Sequence, residues 1–334
     1  MRVALDSRPA SDPGGIGGYS RRLLKALRET AAASDEVLAT NRPSAMVRAK
    51  GPDVFHSPWL DGAMLHSPCP MVVTIHDMAA QKRRSEHLRT SLRQRLRPLA
   101  LQRAACVIVP TAAVAEDAIA HLRLERGRVV VIPEAADESM YPRTPDEMVE
   151  VRGRYGLPER YLLWVGGLEH PDPGTHIAQL AATPRELPLV LAGPTGPWAR
   201  ELPDVILTGQ VPDDHLAAIY SGAHALMMSA EHEGFGLAAV EALSCGTPVV
   251  AADGPALREV LGDRATFVTA GDMRALIAAA QNSARPAPPA PAWSWGDAAR
   301  ATWAVYAQAA KDVGASRDTP HAPFRRRPAG GVGA

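Results

Sequence analysis

Residues 225–253 read ALMMSAEHEGFGLAAVEALSCGTPVVAAD. An apolar run (ALMMSA, 225–230), a glycine turn, a helical stretch and a second apolar run (TPVVAAD, 247–253) predict strand, turn, helix, strand, the repeat of a parallel sheet with crossover helices. Inside it Glu233 and Glu241 have seven residues between them and stand around the turn Gly234-Phe235-Gly236. With a helix starting near Gly236, Glu233 lies at the strand's carboxyl end and Glu241 one turn into the helix. The first-turn N–H groups and the positive end of the helix dipole attract phosphate, and the glycines let the backbone come close to it. Ionised carboxylates on either side accept strongly from sugar hydroxyls. This arrangement suits a sugar nucleotide.

Working outward, the same alternation runs through the chain. The strand candidates in the first half are VALD (3–6), DVFHSP (53–58), MVVTIHD (71–77), ACVIVPT (105–111) and RVVVIP (128–133). In the second half they are YLLWVGG (161–167), LPLVLAG (187–193), VILTGQV (205–211), ALMMSA, TPVVAAD and ATFVTAG (265–271). The fold class is therefore α/β, with each half a doubly wound, Rossmann-like parallel sheet. At 334 residues the chain is long enough for two such cores. The joint is expected in the polar stretch 137–150, which gives domains 1–145 and 146–290 facing a central cleft. ARPAPPAPA (284–292) cannot form a helix interior and reads as a spacer. Residues 291–313 have helical periodicity, and 314–334 are expected to be disordered.

Composition narrows the partners. Lys plus Arg and Asp plus Glu both number 36, so no general affinity for nucleic acid is expected. Cys69, Cys106 and Cys245 are scattered, with no CxxC pair, which points to a reducing cytoplasm and away from disulfides or a zinc site. No leader and no membrane-length apolar run is visible, so the expectation is a cytoplasmic protein. Glycines 14–18 feed an amphipathic helix but begin too far past the first strand for a dinucleotide fingerprint, and Ser20 occupies the place of the last glycine.

EGFGLAAVEALSCGTPVVAAD resembles the paired-glutamate signature of retaining glycosyltransferases of family 4, which have the two-domain GT-B fold. The resemblance implies transfer of a hexosyl group, mannose- or glucose-type, from a UDP- or GDP-sugar to a hydroxyl acceptor held by the first domain, without a cofactor or a metal. It implies that Glu233 orients the donor hexose, that N–H groups around Phe235, Gly236 and Leu237 hold the phosphates, and that Glu241 binds the ribose. GGIGGYSRRLL is similar to the family's first glycine loop, which places Gly17 and Gly18 beside the donor phosphates. Ile75-His76-Asp77 resembles the family's TIHD segment and puts His76 at the sugar. TGQVPDDHLAAIYSGA resembles the piece that receives the nucleobase on backbone atoms around Val211. A terminal helix in such proteins packs back on the first domain.

One position departs from the family. The loop after the first strand of the second domain normally ends in a basic pair that neutralises the donor diphosphate; here it reads GGLEHPDPGTH (166–176), with Gly174 and Thr175 at the expected place. His170, His176, Arg185 and Arg200 are the nearest substitutes by sequence. The departure also motivates an alternative, a catalytically impaired glycosyltransferase-like binding partner or activator. A glycosidase using the two glutamates fits less well, because its carboxylates must lie across a sugar, not around a helix start. Finally, residues 81–104 carry eight Lys or Arg against Glu86 alone, with Leu88, Leu92, Leu96 and Leu99 on one helical face. A core-packed helix is the ordinary reading; contact of residues 82–103 with an anionic membrane surface or a lipid-linked or phosphorylated acceptor is the other.

Overall fold

Among the described residues twelve strands form two separate six-stranded sheets, and every pairing between them is parallel. They belong to a computed structural model that describes residues 1–12, 14–43, 51–78 and 92–317. The first sheet holds β1 (Arg2–Asp6), β2 (Glu36–Thr40), β3 (Val54–Ser57), β4 (Met71–Thr74), β5 (Cys106–Val109) and β6 (Val129–Val131) in the order β2-β1-β3-β4-β5-β6. The second holds β7 (Leu162–Val165), β8 (Leu189–Ala192), β9 (Val205–Gly209), β10 (Ala225–Met228), β11 (Val249–Ala252) and β12 (Ala265–Val268) in the order β12-β11-β10-β7-β8-β9. Central strands such as β3, β4, β8, β10 and β11 are buried at every position, as strands covered by helices on both faces must be.

Among the described residues the helices of the first unit are α1 (Gly15–Thr30), α2 (Leu92–Gln102) and α3 (Ala112–Leu122). Those of the second are α4 (Pro145–Tyr155), α5 (Ile177–Ala182), α6 (Asp213–Gly222), α7 (Leu237–Ser244), α8 (Pro255–Leu261) and α9 (Met273–Gln281), and α10 (Trp295–Arg317) closes the described chain. Their ends follow local chemistry. Thr111 caps α3 by accepting from the Val114 amide; Thr144 and Glu147 form a reciprocal capping box on α4, which stops at Gly156 in the left-handed region. Strand order reverses between β1 and β3 in one sheet and between β7 and β10 in the other. Crevices therefore open at the carboxyl ends of those strands, where α/β sheets bind ligands.

Trp295, Ala298, Val305, Tyr306 and Ala309 of α10 share one core with Val3, Leu5, Leu23 and Leu27 of the first unit. The Tyr306 hydroxyl lies 2.6 Å from His56 Nδ1, and Thr74 Oγ1 lies 2.9 Å from His56 Nε2. Burial pulls the His56 pKa down to about 3, so the ring is neutral in this anchor.

The structure adds detail to the sequence reading and in places differs from it. β2 was not expected, because a five-residue edge strand with mixed polarity, EVLAT, lacks the continuous apolar run of its neighbours. The joint stretch 137–150 is not all linker: from Pro145 it is helical, and α4 packs on α6. The spacer 284–292 forms no helix, and it is docked: Arg285 donates to the carbonyls of Ala223 and Gly246, and Ala287 and Ala290 pack on the second core. α10 continues to Arg317, past the point where disorder was expected. Of the basic segment, residues 79–91 lie outside the described residues, as do 318–334. In α2, Leu99 is 49% exposed while Ala100 and Leu101 are buried, so Leu99 is not on the core face.

Candidate functional site

The turn after β10 reaches across to the first sheet. Gly234 packs backbone to backbone against the end of β4: a Cβ there would sit 1.7 Å from the His76 carbonyl oxygen. The Thr111 hydroxyl, also from the first unit, donates to the Gly234 carbonyl at 3.0 Å. Glu259 of α8 accepts from the Ala112 and Ala113 amides at the start of α3, at 2.7 and 3.0 Å. The two sheets thus meet along their carboxyl edges, with Glu233 at the seam.

Gly236 adopts φ +79° as the N-cap of α7, a left-handed conformation that suits glycine. A Cβ there would also strike Leu257 Cδ2 at 2.4 Å. Phe235 turns inward, buried, with its ring 5.5 Å from that of Trp293. The first turn of α7, Leu237 and Ala238, instead lines a cavity of about 200 Å³ between the units. Gly18, Val211 and Glu241 line it too, so four of the expected donor residues converge, while Phe235 and Gly236 support the turn from behind. Gly17 does not line this cavity; it lets α1 start hard against the loop before it, where a Cβ would meet the Asp12 carbonyl oxygen at 1.9 Å.

Glu241 is buried and accepts from the Tyr220 hydroxyl at 3.1 Å. Its other oxygen lies 3.4 Å from Nη2 of Arg22, a residue of α1 in the opposite unit. Burial raises the Glu241 pKa to about 7 despite that cation. Glu233 is half-buried, and burial together with the charge of Asp77 brings it to about 7 as well. His76 sits at the seam, but its ring is spoken for: Nε2 donates to the Pro58 carbonyl at 2.9 Å and Nδ1 lies 3.1 Å from the buried Glu134 carboxylate. Two acceptors on two ring nitrogens favour the imidazolium. Burial alone would lower the pKa; the hydrogen bond and charge of Glu134 outweigh it and raise it. The edge of Tyr19 packs on the ring at 4.4 Å. A sugar hydroxyl must therefore meet His76 through its charge, or displace one of these partners. Arg22, Glu134 and Tyr19 were not singled out from sequence. In sequence Arg22 is one more basic residue on an amphipathic helix.

The two glutamates carry a consequence for stability. With folded values near 7 against 4.5 unfolded, the native chain binds more protons between those limits, so this contribution is lost as pH rises through the window. His56, held down to about 3, acts oppositely between 3 and 6.5. The Glu241→Gln variant isolates one term. It is expected to match wild type near pH 4.5 and to gain on it by about 1 to 3 kcal/mol by pH 7.5. Urea midpoints at a series of pH values measure this; parallel profiles would remove the burial assignment.

The model of "Glycosyl transferases group 1" matches residues 159–284, and that of "Glycosyltransferase Family 4" matches residues 35–139. The chain belongs to the family 4 glycosyltransferases. It is 31% identical over 176 residues to the O-antigen chain mannosyltransferase B of Escherichia coli, covering 45% of this chain and 44% of that one. The chain spans about half the length of the curated relatives it matches. In fold it is similar to sucrose-phosphate synthase from Thermosynechococcus elongatus, with a TM-score of 0.66 at 21% identity over 95% of this chain and 98% of that one. It is also similar to the Anabaena protein HepE solved with UDP-glucose, with a TM-score of 0.66 at 16% identity over 94% and 99%. The two sheets and their cleft are the GT-B arrangement.

The resemblance to family 4 glycosyltransferases expects a basic pair where this sequence has Gly174 and Thr175. Gly174 and Thr175 lie beside the turn after β10: the Glu231 amide donates to the Gly174 carbonyl at 3.1 Å, and the Ser229 hydroxyl to that of Thr175 at 2.5 Å. None of the four substitutes named from sequence lines the cavity. Arg185 is tied to the carbonyls of Ala181, Thr183 and Asp204, and His176 is the left-handed residue that starts α5. Among the described residues no helix is long and apolar enough to cross a membrane.

Proposed function

We propose that this chain is a retaining hexosyltransferase that uses a nucleoside diphosphate sugar, UDP- or GDP-linked, and needs no metal. The observation that carries the proposal is the convergence of Gly18, Val211, the first turn of α7 and Glu241 on one cavity, with Glu233 at the seam beside it. Val211 marks the base end, Glu241 the ribose, the amides of Leu237 and Ala238 the diphosphate, and Glu233 the hexose hydroxyls. A mannose- or glucose-type sugar accords with the mannosyltransferase of Escherichia coli and with HepE, solved with UDP-glucose. In the reaction the anomeric carbon loses its bond to the phosphate oxygen and gains one to the acceptor oxygen on the same face. The departing phosphate takes the acceptor's proton.

A second cavity, of about 330 Å³, adjoins Glu233. It is lined by Asp77, Glu231 and Glu233 among other residues, and among the described residues no Lys or Arg contributes to its wall. Those carboxylates suit a neutral or amine-bearing hydroxyl acceptor. The chain is assigned to the cytoplasm, where sugar nucleotides are made.

A thermal-shift screen of UDP, GDP, ADP and their sugars tests the donor assignment. Binding to the native state at a hundred times Kd adds about 2.7 kcal/mol, a shift of several degrees. If saturating amounts of all of them leave Tm unmoved, the site is not a nucleotide site.

A further inference from the structure

We infer that Arg22, on α1 of the first unit, supplies the positive charge for the donor diphosphate that the second unit's Gly174 and Thr175 do not. The inference rests on the donor assignment above and adds a residue to it. Arg22 lines the cavity opposite the first turn of α7 and is 13% exposed. Its guanidinium is shared by three carboxylates: Nε lies 3.3 Å from Asp137, and Nη2 lies 3.3 Å from Asp213 and 3.4 Å from Glu241.

Two features mark this as an arrangement built to change partners. Each contact is longer than the roughly 2.7–2.9 Å of a well-formed charge-assisted hydrogen bond, so no single carboxylate holds the cation. The cavity, at about 200 Å³, is also smaller than the roughly 300–1,000 Å³ of ordinary ligand sites, so a nucleotide must push into the space this cluster closes. Gly18 makes room for the group. An ideal Cβ there would lie 3.0 Å from Arg22 Nη1. Arg21, the other basic residue on the wall, is tied by Nη1 to the carbonyls of Ala10 and Asp12.

When a diphosphate enters, its oxygens take the guanidinium from the cluster. Glu241 is released to the ribose, and the charge of the leaving phosphate is met from across the cleft. Arg22 is then a donor-binding residue that also couples the two units to occupancy, because its partners before binding, Asp213 and Glu241, belong to the opposite unit.

The test is calorimetric titration of the full chain with UDP, GDP and ADP, and with the nucleoside of whichever one binds. Arg22→Gln is expected to weaken the diphosphate by about tenfold or more while changing the nucleoside less than about twofold. Arg22→Lys is expected to recover part of the loss. Asp213→Asn removes a competitor for the guanidinium and is expected to tighten the diphosphate by roughly two- to fivefold, a gain that disappears in the Arg22→Gln background. Undiminished diphosphate binding in Arg22→Gln, or an equal loss for nucleoside and diphosphate, overturns the inference while leaving the donor site standing. Should Arg22→Gln fail to fold, Asp213→Asn decides alone: tightening supports the handover, and unchanged or weaker binding overturns it. A wild type that binds none of the three nucleotides overturns both the donor assignment and this one.

Discussion

Gly234→Ala is expected to lower turnover of the sugar nucleotide by about 100-fold or more while leaving both units folded. The added Cβ would lie 1.7 Å from the His76 carbonyl oxygen, 2.8 Å from its carbon and 3.2 Å from Asp77 Cβ. The first two are backbone atoms of His76, two residues past β4, so no rotamer change relieves the clash and the seam itself must open. Glu233 is the preceding residue and moves with it, and a displacement of about 1 Å at reacting groups is enough for a loss of this size. Each core is intact on its own side of the contact, so stability changes little. Gly153→Ala is the matched control. Its Cβ would meet nothing within 4 Å inside α4, and the change is expected to stabilise by about 0.5–1 kcal/mol. Hydrolysis or transfer assays beside urea midpoints separate the two effects; a Gly234→Ala variant with wild-type turnover would show that the seam does not govern the site.

Replacing Glu233 by Gln is the second large effect. The side chain keeps its shape but loses its charge, and with it the strong acceptor for hexose hydroxyls. Turnover of the sugar nucleotide is expected to fall by roughly 10²- to 10³-fold, while affinity for the free nucleoside diphosphate stays within about twofold. The pH profile gives an independent reading. Burial raises both Glu233 and Glu241 to about 7, so wild-type turnover should rise as pH increases through that value and the Gln variant should lose the part of that rise that Glu233 carries. Glu241→Ala should do the converse and weaken the nucleotide itself. Equal loss of nucleotide affinity in both variants would end the division of roles.

How much of this could be read beforehand depends on range. Strands β3, β4, β5, β7, β8, β10 and β11 are short, buried runs bounded by turn residues, and that signal is local, which is why the α/β class is legible from residues 225–253 alone. β2 hid because an edge strand partly faces water and keeps the exposed Glu36 in its run, with Thr40 a buried polar residue at its end. The turn around Glu233 is legible for a similar reason: glycine spacing and helix onset are matters of adjacent residues.

Charge partners are not. Arg22 meets Asp137 and Asp213 across 115 and 191 residues, and His76 meets Glu134 across 58. Nothing in the periodicity of α1 separates Arg22 from Arg21, yet one is shared among three carboxylates over the cleft and the other is tied to its own loop. Local sequence sets backbone propensity and the polar or apolar face of each element, and so it determined the alternating elements and the paired-glutamate turn. Which cation faces which anion, which glycine must accept another unit's backbone, and how far a carboxylate's pKa climbs all depend on how two sheets close on each other, and only the tertiary structure decided them, because desolvation and Coulomb energy depend on distance in space.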